Sequence, residues 1–158
     1  MGLVQKAFSD IITFSRSSNA TRIGPNGLVQ YAPHNLLLQS QTLDNASWTK
    51  SSVTVTANAA AAPDGTVTAD QVAATSTTVY LTQSVGSLAV GQYTISVYLK
   101  SGTTSWAALT LSDSVANANG RYFDLSSVAV GGSTGLAVGS NVTVVSASAT
   151  NIGNGWVR

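Results

Sequence analysis

The sequence predicts an all-β protein built from antiparallel strands. Short alternating runs, separated by Gly, Asn, Asp and Ser, recur at the spacing expected of a β-sandwich, and no long segment has a helical period with caps. Hydrophobic residues make up 44% of the 158 residues, which is enough for a sandwich core. We therefore expect a β-hairpin leader over residues 1–34 and an antiparallel β-sandwich over residues 35–158.

The leader differs from the rest of the chain in charge and in turn content. It holds three of the seven basic residues, Lys6, Arg16 and Arg22. The runs ATRI and LVQY flank Gly24-Pro25-Asn26-Gly27, and this order favours a tight reversal because Asn and Gly tolerate positive φ. Since a lone hairpin is marginal in water, we expect it to pack on the sandwich or on another protein.

Beyond the leader, alternation sets the predicted strands and their faces. Strands are predicted at 36–39, 53–57, 68–72, 79–85, 92–100, 106–112, 121–126 and 142–149, with another starting at Trp156. Within 92–100 the apolar set Tyr93, Ile95, Val97 and Leu99 is expected to face the core. Ala59–Ala62, followed by Pro63-Asp64-Gly65, is too short for an independent helix and is assigned to a connection.

The composition limits the classes of partner. Only 8% of the residues are charged and the net charge is +1, against about 25% charged residues in ordinary soluble domains. Weak self-repulsion favours a homo-oligomer or a larger assembly. Seven scattered basic residues form no stripe for phosphates, so no nucleic-acid partner is expected. No apolar run is long enough to cross a bilayer, so no membrane insertion is expected.

Catalytic chemistry is sparse, and we expect no enzyme, no catalytic residue and no cofactor. His34 is the only histidine, and Cys and Glu are absent. A Ser-His-Asp triad is defined by geometry and stays open at this point, although no nucleophile-elbow motif supports it. Most of the carboxylates lie in or beside turn-like sequence, where Asp organises the backbone. The two exceptions are Asp10 and Asp124.

One succession of motifs from Asn35 to Asp70 resembles a known domain type. It runs from an apolar segment through an Asn-containing turn leading to Trp48, then an alternating strand and the Pro-Asp-Gly turn. This order is similar to the carbohydrate-binding-module-like β-sandwich domains of bacteriophage tail, fibre and other virion proteins. The resemblance continues through GQYTISVYLKSG and GNGWVR, and TFSRSSNATRIGPNGLVQYAPHNLL resembles the leader of many phage proteins.

The resemblance implies a jelly-roll-like sandwich with Trp48 and Trp156 in its core. It implies a virion structural protein of a fibre, the tail or the capsid surface, made in the host cytoplasm and exposed on the particle. Other virion proteins are then the partners, a homo-oligomer is expected with a trimer favoured, and the leader becomes a candidate docking arm. In such domains more sequence usually follows GNGWVR, so we expect the last strand or strands to be missing here because this is part of a longer polypeptide. The alternative is that a neighbouring subunit or the leader hairpin supplies the missing strand.

The alternative function is an adhesin for host or environmental polysaccharide. Sugar rings stack on exposed aromatic side chains, and amide or charged groups fix their orientation. Tyr80, Tyr98 and Trp106 fall on the outward side of three successive predicted strands, with Gln83 and Lys100 nearby. The competing interpretation is that these aromatics cover an oligomer interface or pack beneath the leader hairpin.

The resemblance also suggests a structural calcium ion, since related sandwiches often hold one. The loop DSVANAN, residues 113–119, offers hard oxygen donors but only one carboxylate. No metal ligands are assigned from it.

Overall fold

In a computed structural model the described residues are 20–32, 35–112, 118–134 and 142–158. They contain no helix and form twelve short strands. The strands are β1 (Thr21–Ile23), β2 (Val29–Tyr31), β3 (Thr49–Ser51), β4 (Val53–Ala60), β5 (Ala69–Ala74), β6 (Tyr80–Thr82), β7 (Leu99–Lys100), β8 (Trp106–Ser112), β9 (Ala118–Asp124), β10 (Ala129–Ser133), β11 (Asn151–Gly153) and β12 (Trp156–Val157).

All strand pairs among the described residues are antiparallel, which confirms the all-β prediction at that level. They form three two-stranded sheets, β1-β2, β3-β6 and β4-β5, and two three-stranded sheets, β10-β9-β8 and β11-β12-β7. These sheets are small and unclosed, so a jelly-roll sandwich is not seen in this part of the chain. Contacts divide the chain into two units between Leu38 and Gln39. The predicted domain boundary at Asn35 stays a prediction.

The first unit contains the predicted hairpin. β1 pairs with β2, with Ile23 opposite Val29. The Gly24 amide donates to the Leu28 carbonyl at 2.8 Å, and Gly27 has φ of 74°. A side chain at Gly27 would be strained at this φ, so the Asn-Gly pair is what allows the chain to reverse here.

In the second unit, the β4-β5 hairpin depends on one carboxylate. Between Thr56 and Ala60 the pairing shifts register, and Asn58 takes a positive φ of 53°. Asp70 Oδ1 accepts from the Asn58 amide at 3.0 Å, and its Oδ2 accepts from the Leu43 amide at 2.7 Å. Asp70 therefore links the irregular part of β4, at Asn58, to the loop before β3, at Leu43.

Just beyond this register shift, the hairpin closes through the predicted Pro63-Asp64-Gly65 turn. Gly65 has φ of 87°, and the Ala62 amide donates to the Thr66 carbonyl at 2.7 Å. Asp64 Oδ1 accepts from the Thr66 amide and hydroxyl. The alanine run is shared between strand and turn, because β4 extends to Ala60.

Several predicted strands differ from the observed ones. Residues 36–39 form a turn, in which Gln39 has φ of 50° and its carbonyl accepts from the Thr42 amide. The strand predicted over 92–100 is confined to β7, and 142–149 forms no assigned strand. Alternation shows which residues can form a strand, but a strand also needs a partner, and none of the described strands pairs with 92–98. β3, β10 and β11 were not predicted.

The expected core faces are only partly covered. Val97 and Leu99 are half-buried, but the core prediction is wrong for Tyr93 and Ile95, which are 44% and 40% exposed. Both precede β7 in a segment without a described strand partner, so no sheet turns their side chains inward. Trp48 is half-buried rather than fully enclosed.

Trp156 is the best-enclosed large side chain of the described residues. It is 8% exposed, and its neighbour Val157 is 5% exposed. β12, which carries both residues, is the central strand between β11 and β7. The indole Nε1 of Trp156 donates to the carbonyl of Ala61 at 3.2 Å. The prediction that Trp156 is a core residue is confirmed.

Replacing Trp156 with Ala is expected to lower the free energy of unfolding by about 3–5 kcal/mol, because it removes a buried aromatic and leaves a cavity. Trp156→Phe is the matched control: it keeps most of the packing and loses the Ala61 hydrogen bond, at a cost of about 1 kcal/mol plus some packing. Urea unfolding followed by circular dichroism measures both. Equal losses in the two variants would show that packing at this position contributes little.

Candidate functional site

The five residues predicted to bind glycan lie on three different sheets. Tyr80 is on β6, Tyr98 directly precedes β7, and Trp106 begins β8. Their side chains are exposed, at 49%, 50% and 53% respectively. Lys100 on β7 is exposed, and Gln83, just after β6, is half-buried. Tyr98 and Lys100 thus lie close together at β7, and a single face shared by all three aromatics stays a prediction.

Trp106 has an aromatic neighbour that the sequence did not reveal. On the β10-β9-β8 sheet, Tyr122 of β9 lies opposite Ala108, which shares a face with Trp106. A Cβ placed on Gly131 of β10 would be 3.0 Å from Cζ3 of Trp106 and 3.2 Å from Cβ of Tyr122. The indole therefore lies over the bare backbone of Gly131, beside Tyr122. Tyr122 is itself 41% exposed.

We call Trp106, Tyr122 and Gly131 the aromatic platform. Tyr122 belongs to it through the pairing of β9 with β8 and its closeness to Gly131 of β10, neither of which the sequence shows. In addition, β10 shifts register between Val130 and Ser133, and this shift lies at the glycine that leaves room for the indole. An exposed ring beside a second aromatic offers the stacking surface that carbohydrate C–H groups prefer.

Asp124 lies at the end of β9, directly opposite Trp106. Its Oδ1 accepts from the Ser126 hydroxyl at 2.6 Å and from the Ser126 amide at 2.9 Å, and its Oδ2 accepts from the Ser127 hydroxyl at 2.7 Å. These bonds, above all those from the two hydroxyls, lower the pKa of Asp124 to about 2. The carboxylate shapes the β9-β10 turn, although the sequence had set Asp124 apart from the turn-forming acids.

A second cluster lies on the β11-β12-β7 sheet. The guanidinium of Arg158 lies 5.8 Å from the centre of the Tyr98 ring, within cation–π range. The stem of Lys100 packs against the turn at Gly155, where an added Cβ would be 3.3 Å from Cε of the lysine. Tyr98 thus has one cation over its ring, and Lys100 follows two residues later in the chain. Arg158 was missed because its position beside Tyr98 depends on the pairing of β12 with β7.

Lys50 has a structural role, because its side chain holds a turn. Its ammonium donates to three carbonyls, those of Asp44 at 3.0 Å, Asn45 at 2.9 Å and Trp48 at 3.3 Å. All three N–H donors are therefore used in holding the turn before β3. The indole of Trp48 completes this loop, since its Nε1 donates to the Gln39 carbonyl at 2.9 Å.

Metal-binding groups do not cluster in the described residues. No group of three His, Cys, Asp or Glu side chains there is arranged to hold a metal ion. His34, Asp10 and Asp113 lie outside these residues, so the structure does not bear on a site that contains them. Within the same ranges, no helix has the length and hydropathy of a membrane span.

Comparisons of the chain with protein-family models, with curated proteins and with solved structures give no match.

The low pKa of Asp124 predicts how the β9-β10 turn responds to acid. A carboxyl whose pKa is lower in the folded than in the unfolded state stabilises the fold above the unfolded value, about 3.9. This contribution is lost as the pH falls through about 2. We therefore expect the amide resonances of Ser126 and Ser127 to titrate near pH 2 in NMR spectra.

Asp124→Asn is the control, since it keeps the size of the side chain but removes the titrating group. It is expected to abolish the transition and to make the turn less stable at neutral pH. A midpoint near 4 in the wild type would contradict the hydrogen-bonded carboxylate.

Proposed function

We propose that this chain is a structural subunit of a bacteriophage virion, displayed on a fibre, the tail or the capsid surface. The motifs from Asn35 to Asp70 suggest the domain type, and the exposure of apolar side chains in the described residues carries the structural argument. In those residues only Ala118, Trp156 and Val157 are buried apolar residues. A chain that exposes apolar sheet faces is suited to packing against other subunits.

The exposed apolar residues are placed on sheet faces where a neighbour can cover them. Ile23 and Val29 lie opposite each other on the hairpin and are 67% and 68% exposed. On the β10-β9-β8 sheet, Leu111 and Val130 are 37% and 40% exposed. Covering such side chains contributes about 25 cal/mol per Å² of apolar surface, so assembly would supply stabilisation that the separate subunit lacks.

The weak charge of the chain supports the same function. With 8% charged residues and a net charge of +1, little repulsion opposes contact between copies. In this proposal the small sheets belong to a jelly-roll-like sandwich that packs within a homo-oligomer. The hairpin β1-β2 is the arm that docks the subunit onto other virion proteins.

Mass spectrometry of purified particles tests the proposed location and the docking arm together. The wild-type chain is expected in the particles, and a variant with Ile23→Thr and Val29→Thr is expected to fold but to be excluded. These changes keep β-branched residues in the strands and remove the apolar face.

The matched control is Val67→Thr with Val145→Thr, which removes two exposed valines (63% and 78%) outside the hairpin. It should enter particles normally. Absence of the wild-type chain from particles would reject the virion function, whereas equal entry of both double variants would reject only the docking arm.

Glycan binding is the second candidate function, and the aromatic platform is the observation that favours it. Trp106 and Tyr122 present adjacent exposed rings, and the Asp124 carboxylate lies opposite Trp106 at the end of the strand. The paired rings offer a stacking surface, and Asp124 fixes the turn beside them. A surface polysaccharide of the host or its environment is the corresponding ligand.

On a glycan array, Trp106→Ala and Tyr122→Ala are expected to lower binding at least about tenfold, which corresponds to the loss of a stacking contact of about 1.4 kcal/mol. Gly131→Ala should also weaken binding, because the added methyl group displaces the indole. Tyr80→Ala is the control on a separate sheet. Loss of binding in Tyr80→Ala would favour the originally predicted face over the platform, and silence of the wild type across the array would reject glycan binding.

A further inference from the structure

β8 is a seven-residue strand at the edge of its sheet. It pairs with β9 along its whole length, from Trp106 opposite Asp124 to Ser112 opposite Ala118, without a register shift. Among the described strands β8 has no neighbour on its other side. Within the described part of the chain, the backbone groups on that side therefore form an open edge suited to pairing with another strand.

The pattern of hydrogen bonds between β8 and β9 shows which residues present their backbone groups to this edge. The Leu125 amide donates to the carbonyl of Ser105, its opposite residue, so Ser105 belongs to a hydrogen-bonded pair. Hydrogen-bonded and non-hydrogen-bonded pairs alternate along antiparallel strands. The backbone groups of Ala107, Leu109 and Leu111 therefore form hydrogen bonds with β9. The backbone groups that point to the open edge are those of Trp106, Ala108, Thr110 and Ser112.

A second observation agrees with this assignment of outward residues. The Gly120 carbonyl accepts from the Thr134 amide at 3.3 Å and so points away from β8. Gly120 lies opposite Thr110, so this pair is not hydrogen-bonded across β8 and β9. Of the four outward amides, that of Trp106 donates to the Thr104 hydroxyl at 3.3 Å. No contact with a described residue occupies the amides of Ala108 and Thr110.

The edge lacks the features that usually prevent pairing between copies. Natural edge strands are commonly blocked by charged side chains, proline, bulges or short length. The sequence of β8, WAALTLS, contains no charged residue and no proline. Its pairing with β9 shows no bulge.

We propose that two copies of this chain join through β8, antiparallel, about a two-fold axis at Leu109. This inference rests on the homo-oligomer within the proposed function and assigns its contact surface. In this register Ala108 faces Thr110 of the second copy and Trp106 faces Ser112. Every outward residue then meets an outward residue, as a hydrogen-bonded pair requires. The Leu109 residues of the two copies form the close, non-hydrogen-bonded pair at the axis.

The side chains are compatible with this pairing on both faces of the joined sheet. On one face, Leu109 meets its symmetry mate and Ala107 meets Leu111, so apolar groups lie together. On the other face, Ala108 meets Thr110, and Trp106 meets Ser112. No like charges face each other across the contact. Repulsion between like charges is the usual penalty when identical strands pair. The contact joins two three-stranded sheets into one six-stranded sheet.

A second copy is favoured as the occupant because the edge is complementary to itself. Both copies present the same spacing of outward groups, and their net charge of +1 provides little repulsion. A two-fold contact is closed by two copies. It therefore produces a dimer, or a dimeric contact within a larger assembly, instead of the trimer expected from the resemblance.

Hydrogen exchange on the wild-type chain, resolved by NMR, tests the pairing without a mutation. At concentrations where the chain is dimeric by sedimentation, the amides of Ala108 and Thr110 are expected to exchange at least about tenfold more slowly than after dilution to monomer. The amides of Ala107, Leu109 and Leu111 point to β9 and should be protected under both conditions. Fast exchange of Ala108 and Thr110 in the associated protein would overturn the proposal.

Ala108→Pro provides an independent test by sedimentation. Proline removes the outward N–H and is tolerated where an edge-strand amide faces away from its sheet, so a folded monomer is expected. Ala108→Val is the matched control, since it retains the amide and should remain dimeric. Unchanged association of a folded Ala108→Pro variant would overturn the proposal. Should that variant fail to fold, the exchange experiment decides.

The outcomes separate this inference from the proposed function. A chain found in particles, but associating as a trimer with rapidly exchanging Ala108 and Thr110 amides, retains the virion function and rejects the β8 contact. A wild-type chain that stays monomeric at high concentration rejects pairing between copies and leaves the edge to a different protein. A β8-paired dimer that is absent from particles retains the contact and rejects the virion function.

Discussion

The enclosure of Trp156 is the constraint on which the second unit depends most. Its indole is among the few buried side chains of the described residues, and it belongs to the central strand of a three-stranded sheet. The hydrogen bond from its Nε1 to Ala61 joins positions 95 residues apart in the chain. Closing so long a loop costs conformational entropy, and the burial of an aromatic side chain is an interaction large enough to offset much of it. A residue near the end of the sequence therefore fixes the tip of the β4-β5 hairpin.

Turns in this chain are organised by the few charged groups that it has. The carboxylates of Asp64, Asp70 and Asp124 accept hydrogen bonds from nearby amides or hydroxyls, and the Lys50 ammonium donates to three carbonyls. Charge-assisted hydrogen bonds are stronger than neutral ones. In a protein with 8% charged residues, these groups define the loops between strands and are thereby committed to structure.

Local features were predictable from the sequence, whereas features that depend on pairing were not. The Gly24–Gly27 reversal and the Pro63-Asp64-Gly65 turn follow from the φ preferences of their own residues, and both are observed. The extent of β8 was predicted correctly because the alternating segment has a partner strand, β9, along its whole length. By contrast, alternation in 92–98 did not produce a strand. Tyr93 and Ile95 are exposed because no described strand pairs with that segment.

The same distinction holds for the candidate site. Exposure of Tyr80, Tyr98 and Trp106 was anticipated from strand alternation, and all three side chains are exposed. Their neighbours were not anticipated, because Tyr122, Gly131 and Arg158 come close only through pairings across the sheets. Gly131 illustrates the difficulty. In the sequence it is one of two glycines in a row, and its importance for Trp106 depends on a register shift that no local pattern encodes.

The hydrogen-bonded carboxylates also determine how the charge of the surface responds to its surroundings. Hydrogen bonds from Thr66 lower the pKa of Asp64, as those from Ser126 and Ser127 lower that of Asp124. The sequence has no Glu or Cys, and His34 is its only side chain with an ordinary pKa between about 5 and 8. Between mildly acidic and neutral conditions, the side-chain charge of this chain therefore changes mainly through His34. Acid strong enough to protonate Asp64 and Asp124 would weaken the hydrogen bonds that Thr66, Ser126 and Ser127 donate, so strong acid acts on the turns of this protein rather than on its strands.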